Sequence, residues 1–227
     1  MHTPAFEIVN RVLGWGDPKN GIWFVGLEEA TCFKEDDVRD YVSRDEIQPV
    51  SEEERKKWRR PGKQIRDYTA KIVIPLSLKF RRKESEWGDY SKKTLWTENS
   101  GVCQINLYPL GKPKRRSWPD HYKDLFGFGA SDRECYERTV KETRFAAIKE
   151  ARKSHNPLAT ICFGKEAWEI HREIFELKST DRQCIGEFEI YKPAGVILTK
   201  FFSYGHMSGE TAKAVTAVLK GWGIALP

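Results

Sequence analysis

The chain has 227 residues, of which 39% are hydrophobic and 32% charged, and its formal net charge is +6 at pH 7. These values predict one folded domain over residues 1–227 and exclude a disordered chain. No apolar run approaches the roughly 20 residues of a membrane span, and the first residues lack a signal-peptide pattern. We therefore expect a cytoplasmic protein with no membrane contact, and the positive charge favours a polyanionic partner.

The first predicted element is a strand at residues 22–26, with the sequence Ile-Trp-Phe-Val-Gly. A short apolar run that ends in glycine is typical of a strand buried on both faces of a parallel sheet. Further strands are predicted at 102–108, 158–163 and 195–202, and residues 186–191 are expected to form an edge hairpin strand.

Residues 31–99 match no known pattern and are predicted to be a helical insertion. Within them, Ser51-x-x-Glu54 is a capping box, and the helix that it opens would end at Pro61-Gly62. A second helix is expected to begin near Gln64, with apolar residues on one face and Pro75 limiting its length.

A longer helix is predicted over residues 132–153, with Ser131 as its N-cap. Two more helices are expected, one directly after Gly164 and one after Gly209. Strands that alternate with helices predict an α/β fold, here a three-layer α/β/α sandwich around a mainly parallel sheet of four to five strands.

The cysteines are five in number, far apart, and without a CxxC pair. Such a scattered set within apolar segments is typical of reduced thiols in the core. We therefore expect no metal site, no iron–sulfur cluster and no cofactor.

Polar residues follow three of the predicted strands. Glu28 and Glu29 follow the first strand, Asn106 lies at the end of the second, and His206 lies in the loop after the last. Ligands of parallel α/β sheets bind beyond the carboxyl ends of the strands, so a carboxylate, an amide and an imidazole are expected at one crevice. Structural explanations exist for each alone, since acids favour helix N-termini and single histidines often only pack.

Four short motifs resemble those of the uracil-DNA glycosylase superfamily. Residues 25–30 are similar to its catalytic loop, residues 104–107 to its base-reading strand, residues 163–168 to its strand-glycine-helix unit, and residues 205–209 to its closing loop. Glu29 and Met207 stand where the family usually has proline. The resemblance covers about residues 20–30 and 100–225.

The resemblance implies a monofunctional DNA glycosylase that flips out a base and hydrolyses its N-glycosidic bond. Glu28 takes the place of the catalytic acid, with Glu29 as the reserve candidate, because a carboxylate below the sugar stabilises the developing positive charge and can activate water. His206 would donate a hydrogen bond to the departing base, and Asn106 would read the edge of the base. Phe33 either stacks on the base or packs in the core.

The base pocket would be completed by Gly26, Leu27 and Ala30. Ala30 stands where uracil-specific relatives carry a tyrosine that blocks substituents at pyrimidine C5. The resemblance therefore favours a C5-modified pyrimidine over plain uracil as the target, as in DNA repair or in defence against foreign modified DNA.

The DNA itself would be bound by basic and loop residues, and the protein is expected to act as a monomer. The expected DNA contacts are Lys112, Lys114, Arg115, Arg116, Gly164, Lys165, Met207, Ser208 and Gly209. Within this set the Ser208 loop would bind a phosphate at a helix N-terminus, and Met207 would either wedge into the vacated stack or pack inward. A second basic cluster at residues 55–66 is either a further DNA contact or a solvated helix face.

Two other classes of function fit the sequence. The first is a non-catalytic nucleic-acid-binding module with the same fold. The second is a hydrolase of free nucleosides, whose substrate would not need the basic clusters.

Overall fold

A computed structural model describes residues 2–19, 21–28, 32–51, 53–54, 63–78, 87–112, 117–203 and 205–226. Within these ranges a single sheet contains eight strands. In chain order they are β1 (Gly14–Gly16), β2 (Ile22–Gly26), β3 (Ile47–Gln48), β4 (Val102–Asn106), β5 (Ala159–Phe163), β6 (Arg182–Ile185), β7 (Phe188–Tyr191) and β8 (Val196–Thr199). Their order across the sheet is β3-β1-β4-β2-β5-β8-β7-β6.

The four middle strands, β4, β2, β5 and β8, are parallel to one another. β1 pairs antiparallel with β4 at one side, and β7 pairs antiparallel with β8 at the other. The predicted α/β fold with a mainly parallel sheet is confirmed, but the predicted count of four to five strands is wrong. The additional strands have little apolar pattern, since β3 has 2 residues and β6 is exposed at every position.

Helices cover the sheet. They are α1 (Pro4–Arg11), α2 (Glu35–Tyr41), α3 (Lys63–Val73), α4 (Trp87–Lys93), α5 (Tyr122–Phe126), α6 (Arg133–Val140), α7 (Ala146–His155), α8 (Trp168–Ile174) and α9 (Gly209–Gly221). None of the helices within the described ranges is long and apolar enough to cross a membrane.

The core consists of two apolar clusters, one on each face of the sheet. Successive side chains of a strand point to opposite faces, and in β2 Trp23 and Val25 join one cluster whereas Ile22 and Phe24 join the other. All four side chains have 0% exposure. The first cluster includes residues of α1, α5 and α6, and the second includes residues of α3 and α9. Helices thus lie on both faces, as in a three-layer α/β/α arrangement.

The long helix predicted over residues 132–153 is interrupted. α6 passes into a π-helical segment at Lys141–Phe145 before α7 continues to His155. Ser131 is not its N-cap, because it lies inside the 3-10 turn Ala130–Asp132, where Asp132 Oδ2 accepts a hydrogen bond of 2.9 Å from the backbone N–H of Gly129. The 3-10 turn therefore starts the helical path at Ala130, two residues earlier than predicted.

The segment 31–99 contributes more than helices. Its capping box is confirmed, since Ser51 N–H donates to Glu54 and Glu54 N–H donates to Ser51 Oγ at 2.9 and 3.2 Å. The proposed helix end at Pro61-Gly62 lies outside the described residues. β3 pairs with β1, so this segment also adds an edge strand to the sheet.

The cysteines divide into two groups. Cys103 and Cys162 are buried, as expected, and burial raises the pKa of both thiols. Cys135 and Cys184 are exposed and Cys32 is partly exposed, so the prediction of core thiols is wrong for these three. Cys135 lies on the solvent side of α6 and Cys184 on the exposed strand β6, where neighbouring apolar residues do not imply burial.

His171 on α8 is a buried polar side chain with 0% exposure. Neither of its ring nitrogens has a hydrogen-bond partner among the described residues, and its ring stacks on Phe175 at 6.3 Å. Burial lowers the pKa of His171 from 6.5 to about 3. The folded protein therefore holds this imidazole neutral at pH values where the unfolded chain binds a proton.

Stability is expected to depend on this histidine at acid pH. The folded-state pKa of His171 lies below the unfolded value. The histidine therefore has no effect on the free energy of unfolding above about pH 6.5, and that free energy falls as the pH drops toward about 3. The loss at about pH 5 should reach about 2 kcal/mol. Urea unfolding should show a smaller fall between about pH 7 and 5 for His171→Leu than for the wild type. An equal fall in the free energy of unfolding for His171→Leu and the wild type would contradict this account. His206→Gln is the control, because His206 is exposed.

Candidate functional site

The carboxyl ends of four parallel strands form one edge of the sheet. β4, β2, β5 and β8 lie side by side there and end at Asn106, Gly26, Phe163 and Thr199. This edge is where ligands of parallel α/β sheets bind. The residues that follow these four strands are therefore the first candidates for a functional site.

The pairing of β2 with β4 continues beyond the strands. Gly26 lies opposite Asn106, Leu107 N–H donates to Gly26 O at 2.9 Å, and Tyr108 N–H donates to Leu27 O at 2.8 Å. Glu28 and Asn106 therefore lie on adjacent, hydrogen-bonded segments. The predicted proximity of carboxylate and amide at this edge agrees with the backbone.

Glu28 forms an ion pair that the sequence did not predict. Its Oε2 lies 2.8 Å from Lys112 Nζ, and the two side chains are only 10% and 5% exposed. The ammonium of Lys112 also lies 5.4 Å from the centre of the Trp118 ring. Lys112 is thus a buried partner of Glu28 rather than a solvent-facing contact for DNA. The site contains a carboxylate and its counter-ion in a poorly hydrated environment.

Two buried tyrosines fix the segment that carries Lys112. The Tyr122 hydroxyl donates to Gly111 O, and Leu110 N–H donates to the Tyr136 hydroxyl at 3.3 Å. Burial raises the pKa of Tyr136, and the negative charge of Glu28 raises it further. Tyr136 therefore stays protonated and uncharged at neutral pH, and it lies next to the ion pair.

Asn106 is 8% exposed, and its backbone is held by a buried arginine. Arg144 Nε donates to Asn106 O at 2.9 Å, and its terminal nitrogens donate to Asn10 O at 2.6 Å and Leu13 O at 3.0 Å. Arg144 itself is 2% exposed and belongs to the π-helical segment. It therefore ties the end of β4 to the connection between α1 and β1.

Arg144 was missed by the sequence reasoning, although a signal exists. Tyr136, Val140 and Ile148 are buried at intervals of one helical turn, and Arg144 falls on the same line. An arginine within an apolar stripe indicates either a buried hydrogen-bond centre or an error in the helix assignment. No comparable signal distinguishes Lys112 from the basic residues that follow it.

Gly26 is required where β2 ends. A Cβ at this position would lie 2.5 Å from Cζ of Phe163 on the neighbouring strand. The Phe163 ring in turn is buried and stacks on Phe202 at 4.7 Å. The close packing of Gly26 against this ring places the next residues, Leu27 and Glu28, at the edge.

His206 follows β8, a strand that is not a neighbour of β2 or β4. It is exposed in the loop between β8 and α9, where its backbone N–H donates to Ser203 O at 3.1 Å. β5 lies between β8 and β2, which separates the strands by about 10 Å. The convergence of the three side chains therefore stays a prediction, and the structure shows adjacent backbone segments for Glu28 and Asn106.

The other residues of the closing loop have structural roles. Met207 is 2% exposed and its carbonyl accepts a hydrogen bond of 2.6 Å from the Tyr68 hydroxyl, so of the two alternatives it packs inward. Ser208 is the N-cap of α9, where its Oγ accepts from Thr211 N–H at 3.0 Å. Gly209 is the exposed first residue of that helix.

Phe33 belongs to the core, as the second alternative for it predicted. It is 5% exposed, and its ring packs against Tyr41 at 5.2 Å and Phe126 at 6.3 Å. A ring enclosed in this way is not available to stack on a base.

The strand-glycine-helix unit has the expected form. Gly164 follows β5 with a φ of +106°, a conformation that favours glycine, and the chain then turns into α8. Lys165 is exposed, with its ammonium 5.8 Å from the centre of the Trp168 ring. Of the other predicted site residues, Glu29, Ala30, Lys114, Arg115 and Arg116 lie outside the described residues.

In the part of the chain that the structure describes, no group of three or more His, Cys, Asp or Glu side chains is placed to hold a metal ion. No model of a known protein family matches the chain, and a search of curated proteins finds no match.

Replacing Gly26 by alanine should destabilise the fold. The new methyl group would overlap the Phe163 ring, which is buried and stacked on Phe202, and overpacking of this kind costs about 1–3 kcal/mol. Gly88→Ala in α4 is the matched control, because a methyl group added there would point into open space. Chemical denaturation should show a lower free energy of unfolding for Gly26→Ala and no loss for Gly88→Ala. Equal stability of the two variants would show that the Phe163 ring moves to make room for the methyl group.

Replacing Arg144 by methionine should cost about 3 kcal/mol, because several buried carbonyls lose a charged donor. Arg138→Met, on the exposed side of the same helical stretch, should change stability by less than about 0.5 kcal/mol. Thermal and urea unfolding of both variants measure the difference. If Arg144→Met is as stable as Arg138→Met, the arginine does not hold the end of β4.

Proposed function

We propose that the protein is a DNA glycosylase of the uracil-DNA glycosylase type, which extrudes a base and hydrolyses its N-glycosidic bond. The observation that carries the proposal is the adjacency of Glu28 and Asn106 at the carboxyl ends of β2 and β4. A carboxylate beside an amide at this edge supplies one group for the sugar and one for the base.

The charge state of Glu28 suits such a reaction. Cleavage of an N-glycosidic bond leaves positive charge on the sugar and negative charge on the base, and a nearby carboxylate stabilises the former. The carboxylate of Glu28 is screened from water and lies against Lys112 at 2.8 Å. An anion held in this position can also orient the water that attacks the sugar.

The observations that support a role in the reaction differ among the remaining site residues. Asn106 is proposed to read the base, and the basic residues 114–116 and exposed Lys165 are proposed to contact the DNA backbone. His206 would have to act from the exposed loop, so its proposed hydrogen bond to the departing base depends on how the substrate reaches that loop. Met207 and Phe33 have no part in the proposal because both side chains pack in the apolar clusters of the core.

The proposed target is a pyrimidine with a substituent at C5. It rests on Ala30, which stands where uracil-specific members of the resembled family carry a blocking tyrosine. A small side chain at that position leaves room for a C5 group.

The test is to measure the bases released from oligonucleotides that contain uracil, thymine, 5-hydroxymethylcytosine or glucosylated 5-hydroxymethylcytosine. Mass spectrometry should detect free base and an abasic site with wild-type protein. Glu28→Gln should lower the release rate by about 100-fold or more, because the charge that stabilises the sugar is lost. Glu166→Gln is the matched control, since Glu166 is an exposed acid after the neighbouring strand.

Other outcomes would identify the alternative functions. DNA binding without release of any base by wild-type protein would indicate a binding module. Release from free nucleosides that survives charge reversal at Arg115 and Arg116 would indicate a nucleoside hydrolase. Release of uracil alone would retain the glycosylase and reject the C5-modified target.

A further inference from the structure

Lys112 is a buried charged side chain. Its side chain is 5% exposed, and its ammonium is 2.8 Å from the carboxylate of Glu28. A lysine that serves to attract DNA keeps its charge in water, whereas here the charge is buried against one specific acid. Burying both groups is unfavourable unless the pair remains ionised and well oriented.

The structure fixes both partners of the pair. On the Glu28 side, Leu27 O accepts a hydrogen bond of 2.8 Å from Tyr108 N–H. On the Lys112 side, the preceding carbonyl of Gly111 accepts from the Tyr122 hydroxyl, and the Trp118 ring covers the ammonium. Hydrogen bonds therefore hold the backbone directly before each charged residue.

We propose that Lys112 is a positioning residue that keeps Glu28 ionised and oriented, so that Glu28 acts as an anion and not as a proton donor. This inference rests on the proposed function for its catalytic meaning. When the N-glycosidic bond breaks, its electron pair leaves with the base and C1′ of the sugar becomes cationic. Water then adds to C1′, Glu28 accepts the proton that this water loses, and the departing base takes a proton from solvent.

A dependence on pH follows from this arrangement. Without the ammonium, a carboxyl group in a poorly hydrated site favours its neutral form, so it takes up a proton at a higher pH. A protonated Glu28 can neither stabilise the cationic sugar nor accept the proton of water. Loss of Lys112 should therefore reduce the reaction most strongly at acid pH, whereas loss of a merely structural contact would lower the rate equally at all pH values.

The first experiment compares Lys112→Met, Lys112→Arg and the control Lys178→Met. Single-turnover base release is measured between about pH 5 and 9 on uracil and glucosylated 5-hydroxymethylcytosine oligonucleotides. Lys112→Met should lose about tenfold or more in rate at about pH 6, and its acid limb should move to higher pH. Lys112→Arg should keep the wild-type shape, and so should Lys178→Met, because Lys178 is exposed and belongs to no part of the proposed site. A Lys112→Met profile that is lower but unchanged in shape would overturn the inference.

The second experiment does not require activity. The carboxyl ¹³C signal of Glu28, assigned by its absence in Glu28→Gln, is followed by NMR as the pH is lowered. The signal should stay that of a carboxylate to a lower pH in the wild type than in Lys112→Met. Coincident titrations would overturn the inference even if the protein is a glycosylase. Separate titrations without base release from any substrate would retain the ion-pair inference and reject the proposed function.

Discussion

The site depends on the burial of both faces of β2. This strand of 5 residues lies between two parallel neighbours, and its side chains belong to two separate apolar clusters. Strands buried in this way have a strongly determined register, because a shift by one residue would exchange the two sets of side chains. The register with β4 places Gly26 opposite Asn106 and brings the residues that follow each strand into contact. Polar side chains can therefore meet at this edge without forming part of either core.

The middle of the fold was predictable from the sequence because its signals are local and strong. The run Ile22–Gly26 is apolar throughout, and the structure contains a strand with the same bounds. Three strands were missed because their sequence signals are weak. β1 has 3 residues, two of them glycine, β3 has 2 residues, and β6 is exposed at every position. α1 was also missed, although Thr3 caps it and Pro4 opens it. Its apolar face is only two turns long and therefore produces a weak pattern.

The site was predictable only as far as strand topology determines it. The adjacency of Glu28 and Asn106 follows from the rule that parallel strands end at the same edge. The ion pair with Lys112 does not follow from that rule. Lys112 reaches Glu28 because residues 107–112 take a path that is held by Tyr122 and Tyr136, which come later in the sequence. His206 shows that the rule alone does not bring side chains together. It follows β8, a parallel strand of the same sheet, but β5 lies between β8 and β2. Sequence order identifies the edge, whereas contacts within the edge depend on loop packing.

The strand order also determines how the molecule must assemble. β5, β6, β7 and β8 are consecutive in the chain and neighbours in space, so this half of the sheet can form through contacts that are close in sequence. β2 has no such partner, because both of its neighbours come from much later in the chain. Closing those long loops is entropically unfavourable until apolar contacts compensate. We therefore expect the edge that carries Glu28 to be completed late in folding, after the carboxy-terminal half has provided a surface for β2.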